Sequence, residues 1–201
     1  MIDDEERHKA KMIKRKAAQD AEVAAKPISE KGLLIVHTGP GKGKSTAAFG
    51  LALRALGRGF RVGVVQFIKG AWSTGERMGV ERFGTQVEWR TMGEGFTWET
   101  QDRARDVAAA SAAWGEARRM MADSSIRLLV LDELNIALRY NYLPLAEVVA
   151  TLGERRGDLH VVVTGRNAKP ELIEAADCVT EFTLVKHHFA AGVRAQEGVE
   201  F

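Results

Sequence analysis

The feature that most constrains this chain is a glycine-rich segment between a predicted strand and a predicted helix: Thr38-Gly39-Pro40-Gly41-Lys42-Gly43-Lys44-Ser45-Thr46. Glycines let successive backbone N–H groups turn towards phosphate oxygens, and the following helix N-terminus adds the positive end of its dipole. Lys44 would reach a phosphate, and the hydroxyl of Ser45 would face Mg²⁺. Counted from Gly39, the loop is one residue shorter than the pattern G-x-x-x-x-G-K-[ST]. It predicts a nucleoside triphosphate site, the alternative being a glycine-rich turn without a ligand.

The rest of the chain alternates short apolar segments with segments of helical periodicity. Strands are predicted at residues 33–38, 61–67, 87–91, 127–132, 160–164 and 178–185, and helices at 44–56, 101–122, 144–152 and 170–176. Strands separated by helices indicate a mostly parallel sheet with helices on both faces. We therefore expect a three-layer α/β domain of the RecA-like P-loop NTPase type, with about six strands.

Composition narrows the function classes. With 29 Lys and Arg against 27 Asp and Glu, the net charge of +2 supports neither a nucleic-acid nor a membrane partner. The single cysteine, Cys178, excludes an intramolecular disulfide and a paired-cysteine zinc site, and we expect it to be a small core residue of the sixth strand. No apolar run could span a bilayer, and the acidic residues 3–6 are unlike a signal peptide. These features predict a cytoplasmic protein.

Residues 1–31 form a charged arm ahead of a domain at residues 32–201. The arm contains eight Lys or Arg and seven Asp or Glu, with acids first and bases after them, which suits a helix dipole. Pro27 would end such a helix. The arm is either a solvated extension or a helix that docks over a ligand site or onto a partner subunit.

Two further strand ends carry charged residues. Asp132 and Glu133 follow the fourth strand, and Arg166 follows the fifth. Ligands of open parallel sheets bind beyond the carboxyl ends of the strands, so these residues are expected near the glycine-rich segment. Asp132 or Glu133 would bind Mg²⁺ directly or through water, although an acid at a helix N-terminus is the alternative. Arg166 would contact the phosphates or remain a surface arginine.

A phosphate site leaves the reaction open. Glu133 could orient a water molecule, so a switch or motor that hydrolyses ATP to ADP and phosphate stays possible. Aromatic residues near glycines, including Phe96 and Trp98, suit a lid over a large flat ligand; the alternative is that they pack on the core. His187 and His188 could bind a metal or cobalt, or could be exposed or hydrogen-bonded histidines.

Together these motifs resemble the P-loop-type ATP:corrinoid adenosyltransferases of cobalamin biosynthesis and salvage. The resemblance runs in order from residue 32 to the end, through residues 38–48, 64–70, 75–77, 95–98, 131–134, 142–145, 164–166 and 185–187. The shortened phosphate loop is itself typical of the family. Membership implies transfer of the 5′-deoxyadenosyl group of ATP to Co(I) of a corrinoid, with release of triphosphate. The corrinoid would be cob(I)yrinic acid a,c-diamide, cobinamide or cobalamin.

The resemblance also implies roles for residues and partners. Lys44, Phe96 and Trp98 would be catalytic, the two aromatic residues by excluding the lower axial ligand of the corrinoid and so easing reduction to Co(I). The segment 39–46 would bind the triphosphate together with Arg166, and Ser45, Glu133 and Asp132 would hold Mg²⁺ or Mn²⁺. A flavoprotein or reduced flavin would donate electrons, and a homodimer is expected. A module that binds nucleotide and corrinoid without turnover is a third possibility.

Overall fold

The computed structural model describes residues 4–26, 31–68, 74–92 and 102–200. The chain divides into two compact units, Met1–Glu30 and Lys31–Phe201. In the first unit, helix α1 (Asp4–Ala24) has three acidic residues in its first turn, where they complement the helix dipole, and it contains no buried residue.

The second unit contains the alternating elements. Its strands are β1 (Leu34–Thr38), β2 (Arg61–Gln66), β3 (Val87–Thr91), β4 (Ile126–Asp132), β5 (His160–Thr164) and β6 (Cys178–Glu181). Its α-helices are α2 (Lys44–Gly57), α3 (Gly75–Val80), α4 (Arg103–Ala122), α5 (Leu134–Arg139), α6 (Leu145–Gly153) and α7 (Pro170–Ala175). Among the described residues, 3₁₀ segments lie at Glu81–Gln86 and His188–Ala191.

The described strands form one six-stranded sheet in the order β3-β2-β4-β5-β1-β6, and every pairing is parallel. After β1 the chain crosses β5 and β4 to reach β2, whereas after β5 it crosses β1 to reach β6. The segment that follows β1 therefore starts at a point where the strand order reverses, which is where open α/β sheets bind ligands. The predicted parallel α/β architecture is confirmed.

Helices cover both faces of the sheet. Helix α2 buries Ala48, Phe49, Ala52 and Leu56 against Val62, Val64, Leu128, Val130 and Val162. Helix α4 buries Ala110, Ala113, Trp114, Ala117, Met120 and Met121 in a second cluster with Val65, Leu129, Leu131, Val161 and Val163. Neighbouring residues of one strand thus enter different clusters, as the alternation of side chains along a strand requires.

Three details differ from the sequence-based predictions. Helices α3 and α5 were missed because six residues carry too little periodicity to be recognised. Strand β6 ends at Glu181 rather than near residue 185. The prediction that Cys178 is a core residue is wrong: it lies on the edge strand β6, and all four residues of that strand are exposed. No helix among the described residues is both long and apolar enough to cross a membrane.

Replacing either of two glycines, Gly63 on β2 or Gly115 on α4, with alanine is expected to change the stability in opposite directions. A Cβ at Gly63 would lie 2.9 Å from Met120 Sδ and 3.0 Å from Leu129 Cδ1, so we expect Gly63→Ala to lower the free energy of unfolding by about 1–2 kcal/mol. A Cβ at Gly115, inside α4, would meet no atom of the described residues within 4 Å beyond its own helix backbone, so Gly115→Ala should raise it by about 0.5–1 kcal/mol. Urea unfolding followed by tryptophan fluorescence would measure both changes in the free energy of unfolding. Changes of the same sign in the two variants would contradict this packing.

Candidate active site

The loop between β1 and α2 is shaped by close contact with the chain after β6. Gly39 and Gly43 have φ of +95° and +103°, which is the left-handed region that favours glycine. The backbone N–H of Gly41 donates to the carbonyl of Phe182 at 2.6 Å, and a Cβ at Gly41 would lie 2.5 Å from the carbonyl oxygen of Thr183. Glycine is therefore required at this position by backbone approach alone. We call residues 39–46 the phosphate loop.

Lys44 begins α2 and lies within this loop. The residue is only 8% exposed, and its Nζ donates to the carbonyl of Gly39 at 2.9 Å and to that of Gly41. Burial lowers the pKa of Lys44; the charges of Arg166 and Lys42 also lower it, and that of Glu133 opposes them. The N-cap of α2 is Gly43, which has no side chain to cap the first turn. A buried cation and an uncapped helix N-terminus thus converge here, as an anion site requires.

Asp132 is fully buried at the end of β4, where the side chains of Ser45, Thr164 and Gln66 donate hydrogen bonds to it. The hydroxyls of Ser45 and Thr164 each donate to its Oδ1 at 2.7 Å, and Nε2 of Gln66 donates to its Oδ2 at 3.1 Å. Gln66 in turn accepts from Nε1 of Trp89 at 3.2 Å. This buried network holds the Ser45 side chain while leaving the lone pairs of its hydroxyl oxygen for another partner.

Glu133 has an unusual backbone conformation. Its φ is +65°, and the non-glycine residues that adopt this region tend to occur at functional sites. It occupies the N-cap position of α5, so the alternative of an acid at a helix N-terminus describes its position, although its side chain makes no capping hydrogen bond. Its Oε2 would lie 3.0 Å from a Cβ at Gly165, the residue before Arg166. The carboxylate therefore points to the loop that carries the predicted phosphate-binding arginine.

These residues share a cleft of about 540 Å³, a size that suits a small-molecule ligand. The predicted site residues that line it are Gly41, Lys42, Gly43, Lys44, Ser45, Thr46, Glu133 and Arg166. Gly39 and Pro40 belong to the same loop, and Asp132 lies beneath it through its bond to Ser45. Phe96 and Trp98 lie outside the described residues.

Seven residues that the sequence did not single out for a role also line the cleft: Ile68, Glu76, Ile136, Arg139, Tyr140, Val199 and Glu200. The guanidinium of Arg139 lies 5.4 Å from the centre of the Tyr140 ring. Glu76 falls within a segment used for the family resemblance, but nothing in that segment predicts contact with the cleft. Arg139 and Tyr140 were missed because α5, the helix that ends at these residues, was not predicted.

The adjacent histidines both have close polar neighbours. Nδ1 of His187 accepts from the N–H of Phe189 at 3.1 Å, and Nε2 of His188 lies 3.0 Å from Oε1 of Glu200. Across the ranges that the structure describes, no three His, Cys, Asp or Glu side chains form a group that could hold a metal. The geometry favours the hydrogen-bonded alternative for His187, and it places His188 beside a carboxylate.

We predict that the protein loses stability in mild acid because His37 is buried on β1, beside the phosphate loop. Its Nδ1 lies 3.1 Å from the carbonyl oxygen of Lys44, and burial lowers the pKa of His37 despite this hydrogen bond. The unfolded chain therefore binds the proton more readily, so the contribution of His37 to stability is complete above about pH 6.5 and is lost as the pH falls below it. We expect the free energy of unfolding to decline less between about pH 7.5 and 5.5 in His37→Gln than in the unaltered protein. Urea unfolding at several pH values would measure this, and equal declines would contradict it.

Comparisons with known proteins match nearly the whole chain. The family described as ATP:corrinoid adenosyltransferase BtuR/CobO/CobP matches residues 30–201, and that described as Cob(I)alamin adenosyltransferase N terminal matches residues 1–23. A corrinoid adenosyltransferase of Pseudomonas aeruginosa is 56% identical over 98% of this chain and 97% of its own length. One from Escherichia coli K12 is 49% identical over 98% of this chain and 99% of its own. The solved flagellar accessory protein FlaH of Methanocaldococcus jannaschii gives a TM-score of 0.48 at 13% identity, over 75% of this chain and 71% of that one.

Proposed function

This chain belongs to the BtuR/CobO/CobP family of ATP:corrinoid adenosyltransferases, and from that premise we propose that the cleft beside the phosphate loop is its active site. The enzyme transfers the adenosyl group of ATP to a corrinoid. The observation that best supports the location is that Lys44, Ser45 and Glu133 line one cleft. The family match favours this transfer over the alternative of ATP hydrolysis.

In the proposed reaction, Co(I) of the corrinoid attacks the 5′ carbon of ATP. A cobalt–carbon bond forms, the bond from the 5′ carbon to oxygen breaks, and its electron pair leaves on inorganic triphosphate. No proton is transferred, so the reaction needs no general base. The protein must align cobalt with carbon and stabilise the charge of the departing triphosphate. Lys42, Lys44, Arg166 and the backbone N–H groups of the phosphate loop suit the second task.

We propose that Mg²⁺ binds beside Ser45 and Glu133. A hydroxyl and a carboxylate oxygen are donors that Mg²⁺ prefers, and phosphates and water commonly complete its shell. Both oxygens of Asp132 already accept hydrogen bonds, so this residue orients Ser45 from beneath. Bound Mg²⁺ would neutralise charge on the triphosphate, and Mn²⁺ would accept the same donors.

The remaining roles rest on family membership. We propose that Phe96 and Trp98 exclude the lower axial ligand of the corrinoid, which eases reduction to Co(I), and that a flavoprotein or reduced flavin supplies the electron. A homodimer and a cytoplasmic location belong to the same proposal. The separate match of residues 1–23 supports treating the arm as an element distinct from the catalytic domain at 32–201, and a cover for the active site is the role we propose for it.

An anaerobic assay with purified protein, MgATP and a chemically reduced Co(I) corrinoid tests the reaction. We expect a light-sensitive cobalt–carbon product together with one equivalent of inorganic triphosphate. Formation of ADP and phosphate with unchanged Co(I) would contradict the transfer reaction and favour hydrolysis. Unchanged ATP with unchanged Co(I) would favour a binding module without turnover.

A further inference from the structure

A carboxylate from the far end of the chain pairs with the phosphate loop. Oε2 of Glu200 lies 2.7 Å from Nζ of Lys42, and both residues line the cleft. The Lys42 side chain is 49% exposed, whereas that of Glu200 is only 14% exposed. The ion pair therefore joins a solvent-facing cation of the loop to a largely shielded anion.

A turn at residues 196–200 and a histidine fix the position of this carboxylate. The N–H groups of Val199 and Glu200 donate to the carbonyl of Gln196 at 3.2 and 2.9 Å. Gly198, which lies between Gln196 and Val199, has φ of +76° and allows the chain to reverse there. The other carboxylate oxygen, Oε1, lies 3.0 Å from Nε2 of His188. Glu200 thus stays in contact with His188 if Lys42 turns away from it.

The pairing conflicts with the role of Lys42 towards a nucleotide. A triphosphate is a multiply charged anion, and it would compete with Glu200 for the same ammonium group. Because Lys42 and Glu200 line one cleft, a triphosphate bound at Lys42 would also lie close to the Glu200 carboxylate, and the two negative charges would repel each other. Binding at the loop therefore favours separation of the pair.

We propose that Glu200 is a built-in counter-ion that occupies Lys42 until a triphosphate displaces it, after which the carboxylate stays beside His188. This inference rests on the proposed nucleotide site. Because the ion pair must break before the ligand binds, it lowers the affinity for both nucleotide and triphosphate. The return of the Glu200 carboxylate to Lys42 assists departure of the triphosphate product. Glu200 thereby limits how tightly the loop holds a ligand that Lys44, Arg166 and a helix N-terminus already attract.

Calorimetric titration of the full chain with inorganic tripolyphosphate tests the proposal without any corrinoid. In Glu200→Gln we expect the dissociation constant to fall about three- to fivefold, the scale of one partly exposed ion pair. Affinity should also decline more steeply with added salt, because Lys42 is then free to attract the anion at low ionic strength. An unchanged or larger dissociation constant would overturn the proposal.

Two matched variants separate a counter-ion from a general charge effect. Glu197→Gln removes the same charge from an exposed position of the same terminal segment and should leave the dissociation constant unchanged; an equal fall there would overturn the proposal. In a Lys42→Met background, Glu200→Gln should have no further effect, and a persistent gain would likewise overturn it. Because the probe is tripolyphosphate, a failure of corrinoid adenosylation does not alter these outcomes. Absence of tripolyphosphate binding by the unaltered protein would contradict the phosphate site as well.

Discussion

Lys44→Met is expected to lower the rate of triphosphate release about a thousandfold, the upper range for loss of one preorganised hydrogen-bond donor at a site of developing negative charge. Lys44 is buried within the loop and is held by two loop carbonyls, so its ammonium group is positioned before the reaction begins. Methionine keeps a chain of similar length and removes the charge. The rate would be measured as triphosphate formed with saturating MgATP and Co(I) corrinoid.

A lysine outside the cleft provides the control for that experiment. Lys169, just before α7, does not line the cleft, and Lys169→Met should retain the original rate. Thermal unfolding of both variants would show that the chain is folded. Turnover of Lys44→Met within a few-fold of the unaltered enzyme would contradict the assignment of the loop as the triphosphate site.

Glu133→Gln should lower turnover about a hundredfold at a fixed, subsaturating magnesium concentration, because an amide oxygen is a weaker ligand for Mg²⁺ than a carboxylate. The backbone strain at Glu133 is the same for either side chain, so the substitution tests charge rather than conformation. A titration of the rate with Mg²⁺ should show a higher requirement for the metal. Calorimetry of ATP binding with and without Mg²⁺ would show a smaller effect of the metal on affinity.

The corresponding control is Glu171→Gln, an exposed carboxylate in the first turn of α7. It should leave both the rate and the magnesium requirement unchanged. If Glu133→Gln kept the magnesium dependence of the unaltered enzyme, Glu133 would not be the metal-facing acid. The rate would then have to depend on another oxygen donor of the cleft.

The sheet and most of the cleft were predictable from the chain itself. Apolar runs between segments of helical periodicity marked the strands, and the parallel arrangement brought their carboxyl ends to one edge. For that reason Ser45, Glu133 and Arg166, which are far apart in the sequence, were expected near one another, and they line one cleft. The signal came from local periodicity joined to a topological rule.

Other parts of the site depend on contacts that no local pattern encodes. The left-handed backbone of Glu133 precedes a helix of only six residues, and the pair of Lys42 with Glu200 joins opposite ends of the domain. Cys178 was misplaced because its apolar character suggests burial, whereas the position of β6 at the edge of the sheet exposes it. The roles of Phe96 and Trp98 stay predictions.

The buried hydrogen bonds beneath the phosphate loop limit how this site could be transplanted. Ser45 comes from the loop, but its partner Asp132 comes from β4, and the amide of Gln66 on β2, itself held by Trp89 on β3, keeps that carboxylate in place. Grafting residues 39–46 onto another sheet would carry over the glycines and the cations without these supports. A host scaffold would need to supply the acid and its amide donor on two further strands before the grafted hydroxyl took up the same orientation.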